Sequence, residues 1–230
     1  VWGGDLTVEN IRKHALPTRS IDIAFSDRYS ISLIYGPAIN QLEKSELRRL
    51  AERFYNDTYL MDQNACSSPH LVVWLNDKDG KYKSKFWEEL YTVTKEKYEL
   101  TESKSVAKFN QLCKTIIEND NLGSFENHGN YIYRMSIHKL MDNTDALRGT
   151  CGYFFEYDTE DLGDLLGIIN SKYQTVTYFG FDKSILRDFV INNSLLGVDR
   201  IVPVGAALEM GAVWDGYDIV RTLSRVIDVL

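Results

Sequence analysis

Of the three cysteines in the 230-residue chain, Cys66 has the setting of a nucleophile. It stands in Met61-Asp62-Gln63-Asn64-Ala65-Cys66-Ser67-Ser68-Pro69, a small and polar stretch between an amphipathic segment and the apolar run Leu71–Leu75. A reactive cysteine needs its thiolate favoured over a thiol of pKa about 8.5. It also needs N–H groups aimed at the oxyanion that forms on an attacked carbonyl. A helical turn beginning near Asn64 would supply both, by placing Cys66 close to a helix N-terminus. Ala65 before it, with Ser67 and Ser68 after it, leaves room for a substrate carbonyl. The same residues also read as a small thiol packed in a core, and the residues alone leave both readings open. Cys113, among Leu112, Ile116 and Ile117, reads as helix core. Cys151, between Thr150 and Gly152, reads as structural.

His70, four residues after Cys66, is a candidate base for a Cys–His pair, against a plain reading as a strand-leading residue near the surface. His14, His70, His128 and His138 are scattered, without metal-binding spacing. Three widely spaced cysteines form no disulfide framework, and no CxxC pair offers a zinc site. A reducing, cytoplasmic setting fits. The net charge is −7, from 26 basic and 33 acidic residues. Nucleic acid is therefore not an expected partner. Lys81–Lys83–Lys85 and Arg48–Arg49 read as solvated faces. No apolar run approaches the roughly 20 residues of a membrane span, and no signal peptide is expected. The chain opens at Val1 within what reads as structure, so part of a longer protein is expected upstream.

The elements that must hold Cys66 follow an α/β pattern. Apolar residues Leu47, Leu50 and Phe54 give Lys44–Asn56 helical spacing. Ile31–Tyr35, Leu71–Leu75, Asn130–Ser136, Gly152–Tyr157, Thr175–Phe179 and Ile201–Val204 read as strands. Lys85–Tyr98 and Lys104–Glu118 read as helices, as does a stretch from the acids at 158–161 to about Lys172. Asp182 is placed to cap a helix through about Asn192. This order implies right-handed crossovers and a mainly parallel sheet flanked by helices. A catalytic domain over 1–213 is expected, followed by a segment 214–230 of strand then helix.

Three segments together resemble the acyl-CoA reductase family typified by the fatty acid reductase of bacterial bioluminescence (LuxC), within the aldehyde dehydrogenase superfamily. They are Val1-Trp2-Gly3-Gly4-Asp5 with Phe25-Ser26-Asp27-Arg28-Tyr29-Ser30, then Asp62–Pro69, then Arg200-Ile201-Val202-Pro203-Val204-Gly205 continuing to Trp214-Asp215-Gly216-Tyr217-Asp218. Their order covers nearly the whole chain.

The resemblance implies an aldehyde-dehydrogenase-like catalytic domain with Cys66 as nucleophile and Gln63, Asn64 and Ser67 in the oxyanion and nucleophile loop. It implies that Gly3 and Gly4 face the nicotinamide end of a cofactor, and that Pro203 and Gly205, in a turn like one near the superfamily's C-terminus, also belong to the cofactor site. It further implies NADPH, or NADH, held mainly by a part upstream of Val1, so these residues alone should bind cofactor weakly and not turn over. The implied reaction is reduction of an acyl-CoA or acyl-protein thioester to a fatty aldehyde through an acyl-cysteine. Acyltransferase or synthetase partner subunits and a homodimer, to which 214–230 would contribute, are consistent with it. Two departures matter. The superfamily's base-bearing Glu-Leu-Gly-Gly-Lys corresponds to Ala24-Phe25-Ser26-Asp27-Arg28, without the Glu, which would protect a thioester from hydrolysis. Its cofactor-holding Glu-Ile-Phe-Gly-Pro aligns loosely with Leu147-Arg148-Gly149-Thr150, where the acid is missing. A non-acylating aldehyde dehydrogenase, a non-catalytic binding module and a Cys–His hydrolase are the alternatives.

Overall fold

The computed structural model describes all 230 residues. Its centre is a seven-stranded sheet. The strands and helices run α1 (Asp5–Arg12), β1 (Tyr29–Tyr35), α2 (Gly36–Asn40), α3 (Lys44–Thr58), β2 (Leu71–Leu75), α4 (Lys81–Lys97), α5 (Glu102–Glu118), β3 (Leu122–His128), β4 (Ile132–Ile137), β5 (Tyr153–Thr159), β6 (Tyr173–Phe179), α6 (Lys183–Asn192), β7 (Arg200–Pro203), β8 (Val213–Trp214), β9 (Tyr217–Asp218) and α7 (Ile219–Leu223). The sheet order is β3-β4-β5-β2-β1-β6-β7. Only β3 and β4 pair antiparallel within it. The expected α/β class, with a mainly parallel sheet flanked by helices, is the one observed.

Alternation along β2 divides the core. Val72 and Trp74 point to one face, where they meet Phe54 of α3 and Phe86 and Trp87 of α4. Leu71, Val73 and Leu75 point to the other, with Leu112 of α5 and Leu186 of α6. A parallel strand covered on both faces should read as continuously apolar, as LVVWL does. Buried polarity is satisfied locally: the Glu156 carboxylate accepts from both Trp74 Nε1 and Trp87 Nε1 at 2.7 Å and from Arg134 Nε at 2.9 Å. No helix is long and apolar enough to cross a membrane.

Three local expectations change. The helix foreseen from 158 to about Lys172 is absent, because β5 continues through Thr159, paired with Leu75. Asp161 caps only a short 3-10 turn at Leu162–Gly167, where Gly163 and Gly167 disfavour an α-helix. Helix α4 begins four residues early, at Lys81, because both carboxylate oxygens of Asp77 accept from the Tyr82 and Lys83 amides. Strand β3 went unforeseen; its polar sequence LGSFENH suits a half-exposed sheet edge. Beyond β7, the chain makes the small β8–β9 hairpin and α7, which buries none of its residues.

Candidate functional site

The loop carrying Cys66 leaves α3 through a 3-10 turn at Tyr59–Met61 and enters β2 at Leu71. Asp62 and Gln63 both adopt left-handed backbone, at φ 51° and 64°. Such residues persist only when their surroundings fix them. Here the Gln63 side chain is fully buried and fully used. Its Nε2 donates to Pro69 O (3.1 Å) and Tyr153 O (3.0 Å), and its Oε1 accepts from Gly152 N (3.2 Å). Asp62 O accepts from Cys151 N and Thr150 Oγ1, each at 3.0 Å. The Asp62 carboxylate receives Tyr98 OH at 2.6 Å and Lys104 Nζ at 2.8 Å. Gly152 is required at φ 87°, since a Cβ would lie 2.4 Å from both Tyr131 O and Tyr59 OH. Cys66 itself is tied to the sheet: its carbonyl accepts from Ser30 Oγ of β1 at 2.7 Å.

No helix begins at Asn64. The amides of Asn64 and Ser68 close isolated turns on Met61 O and Ala65 O instead, so the expected helix N-terminus is not there. The Cys66 thiol is accordingly not lowered in pKa. Burial pushes it up, Asp215 and Asp27 add to the rise, and Arg148 opposes them. Arg148 sits 3.0 Å from Asp27 and over the Tyr29 ring. Arg28 pairs with Asp199 and Asp215, and Asp215 also accepts from Gln174 Nε2 at 2.8 Å. His70 is buried rather than near the surface, stacked on Tyr29. Burial, with Arg148 assisting, holds its pKa down to about 3, so it stays neutral and is a weak proton acceptor.

Cys66 is half-buried and opens onto a cavity of about 470 Å³. One wall is the nucleophile loop, with Met61, Asn64, Ala65 and Ser67; the other is Leu208, Met210 and Trp214, with Trp2 from the N-terminus. The second wall hangs on Asp57, at the end of α3. Its carboxylate accepts from Gly205 N at 2.6 Å and Ala207 N at 2.9 Å. Burial pushes the Asp57 pKa up to about 7 against the pull of those amides. The Arg200 guanidinium donates to the carbonyls of Ala206, Ala207 and Glu209 and lies 4.4 Å from the Trp214 ring.

Of the residues singled out in the sequence, Cys66, Asn64 and Ser67 line the cavity, while Gln63 lies behind it. Gly3 donates its amide to Phe25 O, and Gly4 precedes α1 with open space where a Cβ would stand. Pro203 is exposed at the end of β7, and Gly205 is occupied by Asp57. Asp57 escaped notice, although an acid on the buried stripe of α3, three residues after Phe54, was a readable signal. No His, Cys, Asp and Glu cluster suits a metal ion.

The family description "Acyl-CoA reductase (LuxC)" matches residues 1–226. A sequence search for curated relatives finds no match. Among solved structures, aldehyde dehydrogenase 21 from Physcomitrella patens, in complex with succinate, is similar with a TM-score of 0.58 at 10% identity, over 91% of this chain and 44% of that one. Aldehyde dehydrogenase C from Pseudomonas syringae, with NAD+ and octanal, gives 0.56 at 10% identity, over 88% and 44%. Betaine aldehyde dehydrogenase from Staphylococcus aureus, with NAD+, gives 0.55 at 12% identity, over 88% and 43%. At these identities the likeness carries the fold, and the chain spans less than half of each neighbour's length. The chain belongs to the LuxC acyl-CoA reductase family, on an aldehyde-dehydrogenase fold.

Proposed function

We propose that this chain supplies the nucleophile domain of an NAD(P)H-dependent reductase that converts a fatty acyl thioester, on CoA or a carrier protein, to a fatty aldehyde. The observation that supports it is a half-buried Cys66 facing a cavity walled by Trp2, Met61, Leu208, Met210 and Trp214. The acyl chain occupies that apolar space. Cys66 Sγ attacks the thioester carbonyl and forms acyl-Cys66, and the departing thiolate takes up the proton that the Cys66 thiol gives up. Exchange of one thioester for another is nearly balanced, so orientation matters more than driving force.

The Cys66 backbone N–H donates to no other main-chain group, and the Asn64 side chain makes no hydrogen bond within the chain. In this reading these two groups donate to the oxyanion, while Gln63 holds the loop. Both acids near the thiol are engaged, Asp27 by Arg148 and Asp215 by Arg28 and Gln174. Water therefore meets no free carboxylate base beside acyl-Cys66.

The residues present fit the nicotinamide end of a cofactor and not its phosphates: Gly3 and the open Gly4 adjoin Trp2, but no Gly-rich phosphate loop follows a strand. When bound, the cofactor supplies the hydride that takes the acyl carbon to the aldehyde. The rest of its site lies on the part of the fold that this chain does not match, so these 230 residues bind NADPH weakly. Acyl donors reach the site from CoA or from acyltransferase or synthetase partners, and two copies pair as a homodimer.

The test is steady-state turnover of the full-length enzyme with acyl-CoA and NADPH. Cys66→Ser should cut aldehyde formation by on the order of 10³ or more. Undiminished turnover by that variant would refute the proposal.

A further inference from the structure

We infer that Asp57 is a positioning residue that sets the width of the acyl cavity, and with it the enzyme's discrimination by chain length, by tying the cavity's two walls to one helix end. The inference rests on the proposed acyl site and concerns its selectivity.

Asp57 is 1% exposed and bonds in two directions. Toward the C-terminal wall, its two carboxylate oxygens take the amides of Gly205 and Ala207. Toward the nucleophile wall, its main-chain carbonyl takes Ser68 Oγ at 2.7 Å. Ser68 is two residues from Cys66, and Leu208 follows Ala207 directly. A single residue thus fixes the spacing between the thiol and the apolar surface across from it. Gly205 fits this close approach, because a Cβ there would lie 2.7 Å from Arg53 Cβ. Arg200 holds the far side of the same loop through the Ala206, Ala207 and Glu209 carbonyls, so losing the Asp57 tie lets the wall swing without releasing it. A carboxyl group suits this task, ionised or protonated, because both of its oxygens can accept, and an amide does not. Asparagine offers one acceptor oxygen, and its NH₂ would face the second backbone N–H.

The test reads cavity width through Cys66 alkylation, which needs no acyl transfer. N-alkylmaleimides from methyl to octyl are reacted with the intact chain, and the Cys66 peptide is quantified separately from that of Cys113. In the native protein, octyl should react faster than methyl because the chain buries methylenes beside the thiol. Asp57→Asn should lower the octyl-to-methyl rate ratio by about three-fold or more while the methyl rate changes by less than about two-fold. Should Asp57→Asn fail to fold, Ser68→Ala removes only the opposite end of the tie and should lower the ratio in the same sense. An unchanged ratio, or an equal loss at every length, overturns the inference. If the ratio falls as stated but no acyl-Cys66 forms from acyl-CoA, the width inference stands and the reductase proposal fails.

Discussion

The two walls of the Cys66 cavity are built to different standards. The nucleophile wall is bonded to the middle of the sheet: Gln63 to β5 and the strand-leading Pro69, Asp62 to the 150–151 turn, and Cys66 to β1. The C-terminal wall follows the short strand β7; its 205–209 stretch is held by two side chains, Asp57 and Arg200, and Asp215 beside Trp214 by Arg28 and Gln174. Beyond it, α7 and the residues to Leu230 bury nothing. Chemistry needs a thiol placed to within a fraction of an ångström, whereas selectivity needs only an adjustable width. If the proposed acyl site holds, the contrast pairs rigidity with reactivity and compliance with substrate choice.

The largest blow to the rigid wall is Gln63→Ala. It strands two buried carbonyls and one amide beside left-handed backbone, and should cost on the order of 4 kcal/mol, read as a lowered Tm. Gly205→Ala strikes the compliant wall. Its φ of 101° and the close Arg53 side chain should cost about 2 kcal/mol and shift chain-length preference more than intrinsic thiol reactivity. If both variants changed reactivity and selectivity alike, the contrast would be broken.

Titration sharpens the contrast. Asp57 has a folded pKa of about 7, raised by burial above its unfolded value near 4. Its contribution to stability is thus present below pH 4 and is lost as pH rises through 7. The Tm advantage of wild type over Asp57→Asn should narrow from pH 5 to pH 8, and a widening gap would contradict the assignment. Smallest is the effect on Cys66. Its alkylation should rise with pH to a midpoint above the ordinary thiol value. Arg148→Gln should raise that midpoint further and Asp27→Asn should lower it, both by fractions of a pH unit once solvent screening is counted.

Much of this was legible because the relevant signals are local. LVVWL declared a strand covered on both faces, and Asp182 does cap α6 through Ser184 N. The small residues around Cys66 marked a loop, and that loop lines a cavity. What the sequence hid is the non-local part. The Gln63 bonds reach 90 residues along the chain, so its glutamine read as a loop donor rather than a brace. The Asp57 tie spans about 150 residues. The helix expected at Asn64 is replaced by separate turns closed by the Asn64 and Ser68 amides, which no residue type there announces.

The central claim is that Cys66, and no other group, takes the acyl chain and keeps it. Intact-protein mass spectrometry after mixing with acyl-CoA, without nicotinamide cofactor, tests this most directly. The expected result is one acyl group per chain, mapped to the Cys66 peptide, matched by free CoA released and persisting until reductant is added. Acylation that survives Cys66→Ser, or an acyl-Cys66 that hydrolyses to free acid as fast as it forms, would contradict it.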